Sequence, residues 1–287
     1  MDCRHIHNLR MKIRPLIEFE LFHPSEIHPW NNSEGNDPYL TGYTLSQGFI
    51  CFNVGDQKLL EYSPEIRAHW NDEVQPLADQ MIESVYLDLI DPLGQFLRPI
   101  PEDLLWWMMP QRAAPGGRWI TLCSHVWNDN CVVDCTLLAN KICDAFAGRS
   151  LQRWDRLVQA PDINIWATET EVFVGWDNRE KLVDGIPVWT ASLGIQRVAR
   201  DDFLAEMQDF RDRYFAAMTQ QLSLVRSGVL KPEIRTDVEL DAARVREDEA
   251  KPLTNYLAAG SRFEPTDWNE IRIALKQTLE LTGFKLT

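Results

Sequence analysis

The sequence predicts an α+β fold, with antiparallel sheets and several packed helices. Three observations carry this. Short β-rich segments flank turn residues in pairs, as hairpins do. They cluster near residues 11–63 and 163–198 and do not alternate regularly with helices, which argues against a doubly wound sheet. A long run after residue 200 carries apolar residues at helical spacing.

In order, residues 1–10 read as a polar tail, and Met11 offers a second start. KIRPLIEFELF, with partial alternation, reads as a strand, and HPSEIHPWNNSEGNDPY as a loop rich in turn formers. GFICFNV and KLLEYS flank Gly55-Asp56-Gln57 as a hairpin. Residues 64–98 read as mostly helical: Pro64 suits a first turn, and Ala78, Met81, Ile82, Val85, Tyr86 and Leu89 recur at helical spacing up to a break at Pro92–Gly94. A short helix is expected over 101–109, a strand over Arg118–Ser124, and an amphipathic helix over Cys131–Phe146 ending at Gly148.

INIWAT and EVFVGWD are expected to pair around Thr168-Glu169-Thr170, with IPVWTASLGIQRV as a further strand. Asp201 or Asp202 then caps a helix to about Ser227, whose apolar residues Phe203, Met207, Phe210, Tyr214, Met218, Leu222 and Val225 follow a three-and-four spacing. RTDVELDAARVREDEAKP reads as an exposed acidic helix, and Asp267–Leu281 as the last helix. Among eleven tryptophans, Trp106, Trp107, Trp119, Trp154, Trp166 and Trp189 are expected in the core.

The 287 residues hold 43 acidic and 29 basic side chains, a formal charge of −14. Phosphate binding needs a basic footprint, so nucleic acid is excluded as a direct partner, and so is an anionic membrane surface. A basic protein partner fits, since opposite fields steer association, although solubility alone also accounts for the charge. Cysteines 3, 51, 123, 131, 135 and 143 sit in a chain with no apolar leader and no membrane-length run, so reduced thiols and a cytoplasmic location are expected.

No phosphate-binding glycine loop, nucleophile elbow, HExxH or paired CxxC is present. Cys131, Cys135 and Cys143 share one helix face, which reads as packing because structural zinc prefers thiols on tight turns. Cys3, His5 and His7 lie in the polar tail, so no metal or cofactor is expected. Ser124, His125, Asp129 and Cys131 supply the residue types of a hydrolytic triad, but proximity in sequence does not build one. No catalytic residue is assigned, and a hydrolase using the His125/Cys131 region is the alternative, with a tryptophan-lined small-molecule sensor behind it.

The segments IRPL…EIHPW, GFICFNVGDQKLLEYS, INIWATETEVFVGWDNREKLVDGIPVWTASLG and FLAEMQDFRDRYFAAM together resemble bacterial immunity proteins of polymorphic-toxin and type VI secretion systems, the immunity protein 52 group among them. The resemblance covers residues 11–225. It implies an immunity-like domain over 11–228, in one piece or in halves 11–150 and 151–228, followed by a helical extension over 229–287. It further implies a one-to-one inhibitory complex with a restriction-endonuclease-like nuclease toxin and no chemistry of the chain's own. Inhibition would occlude the toxin's basic site or block its active assembly. Expected partner contacts are Trp30, Glu34 and Asp37 in the first loop, Asp177 and Glu180 after the second hairpin, and Asp237, Glu239, Asp241, Glu247, Asp248 and Glu249 near the acidic helix.

Overall fold

The computed structural model describes residues 15–31, 38–70, 75–110, 117–128, 133–151, 157, 159–260 and 266–283. Strand β1 (Ile17–Leu21) is followed by β2 (Trp30–Asn31), β3 (Pro38–Leu40), a single helical turn α1 (Gly42–Leu45), β4 (Gln47–Val54) and β5 (Gln57–Lys58). Then come α2 (Pro64–His69), β6 (Asp79–Met81), α3 (Ile82–Ile90), α4 (Leu93–Phe96), a 3₁₀ segment (Glu102–Met108), α5 (Arg118–Asn128) and α6 (Val133–Phe146). The second half runs β7 (Ile163–Ala167), β8 (Glu171–Asp177), β9 (Leu182–Val183), β10 (Ile186–Pro187), β11 (Leu193–Ala199), α7 (Arg200–Arg226), β12 (Arg235–Thr236), α8 (Val238–Ala250), α9 (Leu253–Gly260) and α10 (Trp268–Thr282). The architecture is α+β.

Two antiparallel sheets frame the main core. β4 lies between β1 (Ile17↔Phe52 to Leu21↔Gly48) and β6 (Gln47↔Met81), and turns back into β5 through Gly55–Asp56. β8 lies between β7 (Ile163↔Trp176) and β11 (Leu193↔Asp177). Helix α7 supplies Phe203, Met207, Phe210, Phe215, Met218 and Leu222 to the core that both sheets share. Phe210 meets the edge of Phe19 on β1 at 5.6 Å, and Tyr214 stacks on Tyr86 of α3 at 4.7 Å.

A second core lies on the opposite face of β7 and β8. Trp166 and Phe173, stacked at 5.8 Å, are covered there by Trp107, α5, α6 and α10. With both faces covered, β7 and β8 are buried almost throughout, which is why they read as unbroken apolar runs. The glycines permit this packing: a Cβ on Gly175 would fall 2.5 Å from the Trp166 ring, and one on Gly194 would fall 2.2 Å from the Trp176 ring.

The segment after Gly228 belongs to both cores. Ala242, Val245 and Leu253 enter the first, and Ile271, Ala274 and Leu275 the second. Buried Arg211 on α7 ties α8 down, because its guanidinium donates to the carbonyls of Asp248 (3.1 Å), Glu249 (2.5 Å) and Lys251 (2.5 Å) at that helix's end.

Several expectations need correction. Arg118–Ser124 is helical: Trp119, Leu122, Cys123 and Val126 follow helical spacing and turn one face to the second core, which outweighs the β preference of Ile120 and Thr121. Residues 64–98 are interrupted by β6, so Ala78 and Met81 serve the first sheet and not a helix. IPVWTASLGIQRV is two strands, because Asp184 and Gly185 (φ 51° and 80°) fold Ile186–Pro187 back onto Leu182–Val183. Asp201 and Asp202 lie in the first turn of α7 and cap nothing, since β11 runs straight into the helix. Trp106 is 38% exposed and Trp119 half-buried, while Trp107, Trp166 and Trp189 are core. Trp154 lies outside the described residues.

Candidate functional site

A groove of about 1140 Å³ opens between the β4–β5 hairpin, β11 and the start of α7. Its floor follows from the sequence of α7. Asp202, Glu206 and Asp209 are spaced by four and three residues, which puts them on one helical face. The hairpin tip closes the other side, and a Cβ on Gly55 would lie 3.2 Å from Oε1 of Gln196 on β11. Asp56 and Glu61 add two more carboxylates, so among the described lining residues five carboxylates face one ammonium, that of Lys58, with the Arg213 guanidinium beside Glu206 and Asp209.

These acids differ in how they are held. The Glu206 carboxylate accepts from the Ile17 backbone N–H (3.2 Å) and from Arg213 (3.3 Å). Burial pushes its carboxyl above the usual range, against the pull of those donors. Asp209 pairs with Arg213 at 2.6 Å, and Glu61 with Lys58 at 3.4 Å. Asp56 and Asp202 are exposed at the rim, with no ion pair or hydrogen bond among the described residues. The arrangement holds fixed negative charge over a wide, open floor and can bind cationic side chains.

The groove acids differ from the acids expected to bind a partner. Glu34 and Asp37 lie outside the described residues. Asp177 is 3% exposed, and both its oxygens are taken by Arg179 (2.8 and 2.6 Å), so it anchors a turn and is not open to a partner. Glu180 is exposed. The structure does bring Trp30 and Asp237, two hundred residues apart in the chain, to the same residue, Tyr39. Trp30 and Arg235 both stand opposite Tyr39 of β3, and the Tyr39 hydroxyl donates to Asp237 at 2.7 Å. That bond, with burial and nearby acids, pushes the Tyr39 phenol up to about 12.

Along α8, Glu239 pairs with Arg226 (2.8 Å) and Asp248 with Lys251 (2.7 Å). Asp241 is half-buried beside Gly42, and burial raises its carboxyl. Glu247 stands 3.6 Å from Lys251, and Glu249 is exposed. Most of this face is therefore already paired. The groove acids were missed because Asp56 read as a turn residue and Asp202 as a helix cap. The spacing of Asp202, Glu206 and Asp209 was the available signal.

Ser124 and His125 are consecutive on α5, about 100° apart around the helix, while Asp129 and Cys131 lie outside the described residues. Hydrogen bonding between the Cys123 and Cys143 thiols, which form no disulfide, raises Cys123 together with burial and lowers Cys143. Among the described residues no group of three His, Cys, Asp or Glu is placed to hold a metal. No described helix is long and apolar enough to cross a membrane. No curated protein and no solved structure matches the chain. Residues 16–274 match the family of unknown function DUF5984, and the chain belongs to that family.

Proposed function

We propose that the protein is an immunity protein, a binding protein that neutralises a basic toxin in the cytoplasm. The observation that carries this is the groove between the β4–β5 hairpin and α7, where the described lining residues set five carboxylates against one ammonium on a chain of net charge −14. A nuclease toxin must present cationic residues to hold phosphates. An acidic groove on a rigid scaffold attracts such a surface and competes with nucleic acid for it. Asp56 and Asp202 supply charge that no partner among the described residues neutralises, at the groove's mouth, where an approaching cation meets it first.

The experiment pairs the chain with the product of the neighbouring toxin gene and follows cell survival and association kinetics as salt is varied. Wild type is expected to protect. Asp56→Lys combined with Asp202→Lys is expected to slow association by about tenfold at low salt, and the gap should close as salt screens the field. A chain that neither binds nor protects against that toxin rules out the reading. Unchanged association by the double variant at low salt rules out the groove as the site.

A further inference from the structure

Strand β11 ends the β7–β8–β11 sheet, with β8 as its only strand neighbour among the described residues. Asn178 N–H donates to the Ser192 carbonyl (2.6 Å) and Arg200 N–H to the Thr170 carbonyl (2.9 Å), so these pairs close the ladder at its two ends. Antiparallel pairs alternate, which makes Gly194, Gln196 and Val198 the residues bonded to β8. Leu193, Ile195 and Arg197 therefore turn their N–H and C=O groups to the open edge. The Arg197 carbonyl accepts from the Gln196 side chain at 3.3 Å, and the other outward groups have no partner among the described residues.

Natural proteins usually blunt such an edge with a bulge, a proline or several charges. The register of β11 against β8 is unbroken from Leu193 to Ala199, and the strand contains no proline. Leu193 and Ile195 are 44% and 37% exposed on its outer face. Its inner-face residues Gln196 and Val198 line the acidic groove. A strand laid along this edge would thus put one set of side chains over Leu193 and Ile195. The alternate set would point toward the carboxylates of Asp56, Asp202 and Asp209.

We infer that β11 is a strand-addition site that captures an extended segment of the partner in which Lys or Arg alternates with apolar residues. This rests on the partner-binding reading and specifies its mode: backbone hydrogen bonds to Leu193, Ile195 and Arg197 supply affinity, and the alternating side chains supply selectivity. Charge complementarity decides the occupant. A second copy of this chain would bring its own groove acids to the same place.

The probe is a synthetic peptide of alternating lysine and valine, compared with a peptide of the same composition arranged as a lysine block and a valine block, and with one alternating glutamate and valine. Binding is read by fluorescence anisotropy, and exchange of individual amides by NMR. The alternating basic peptide is expected to bind, weaken with salt, and slow exchange at Leu193, Ile195 and Arg197 while leaving Gly194, Gln196 and Val198 as they were. Ile195→Pro removes one outward donor without touching the bonds to β8, and is expected to weaken binding by about tenfold or more. If that variant does not fold, Leu193→Glu with Ile195→Glu keeps the backbone donors, strips the apolar face, and is expected to lose binding equally.

Binding without protection of the outward amides overturns the inference, as does equal binding of the block peptide. So does a chain that forms a dimer in solution and that Ile195→Pro converts to a monomer, because the edge is then filled by a second copy. A folded Ile195→Pro protein that still protects cells against the neighbouring toxin overturns the edge but leaves the immunity reading intact. A wild type that fails to protect, yet shows the amide protection with peptide, overturns the immunity reading alone.

Discussion

Gly194 shows how much of the site depends on one missing methyl group. The Trp176 indole lies across β11 at this residue, 4% exposed and wedged between the strand and the first core. Gly194→Ala would place a Cβ 2.2 Å from a ring carbon, so the ring or the strand must move. Overpacking of this kind costs about 1–3 kcal/mol. Urea denaturation should show a loss in that range, and an unchanged midpoint would mean that the ring has room to retreat. The cysteines follow a similar logic. Cys51, Cys123 and Cys135 are buried thiols outside any disulfide, small fillers of the core, and Cys143 alone among the described four is half-exposed.

At the scale of elements, α10 shows that the region after Gly228 is structural. Its sequence announces both ends: the Asp267 carboxylate accepts from the N–H groups of Asn269 (2.9 Å) and Glu270 (3.2 Å), and Gly283 stops the helix with φ 62°. Between them Ile271, Ala274 and Leu275 pack against α6, with Lys141 and Glu270 paired across the surface. Leu275 is 4% exposed, so Leu275→Ala should cost about 2–5 kcal/mol by equilibrium denaturation. A change below about 0.5 kcal/mol would show that α10 is only loosely docked.

Across the whole molecule, the carboxylates set the pH response. Burial raises the carboxyls of Glu83, Glu206 and Asp241; for Glu83 the Arg244 guanidinium at 2.8 Å offsets part of that. A raised folded-state value means that the native chain binds protons more tightly than the unfolded one. The stability from these groups is therefore full below their unfolded values and is lost as pH rises through the folded ones. Asp103 and Glu239, lowered by Arg272 and Arg226, act in the opposite sense but are exposed, and solvent weakens their share. A net charge of −14 adds repulsion that protonation relieves. The melting temperature is expected to rise between about pH 7 and about pH 5, and Glu206→Gln should flatten the rise. A steady fall over that range would show that the exposed pairs dominate.

The sequence by itself determined the elements whose signals are local. The three-and-four apolar spacing of α7 and the capped ends of α10 needed no partner to be read. The turn residues between β4 and β5, and the continuous apolar runs of β7 and β8, were equally legible. Even α5 carried a helical spacing at Trp119, Leu122, Cys123 and Val126, although its β-branched residues masked it. Tertiary structure alone decided the groove. Asp56 meets Asp202 because a hairpin and a helix some 150 residues apart pack on one core. Nor does any residue of β11 reveal that the strand lies at an edge. A strand's alternation records which of its faces is buried, whereas the number of strands beside it depends on where the rest of the chain comes to lie.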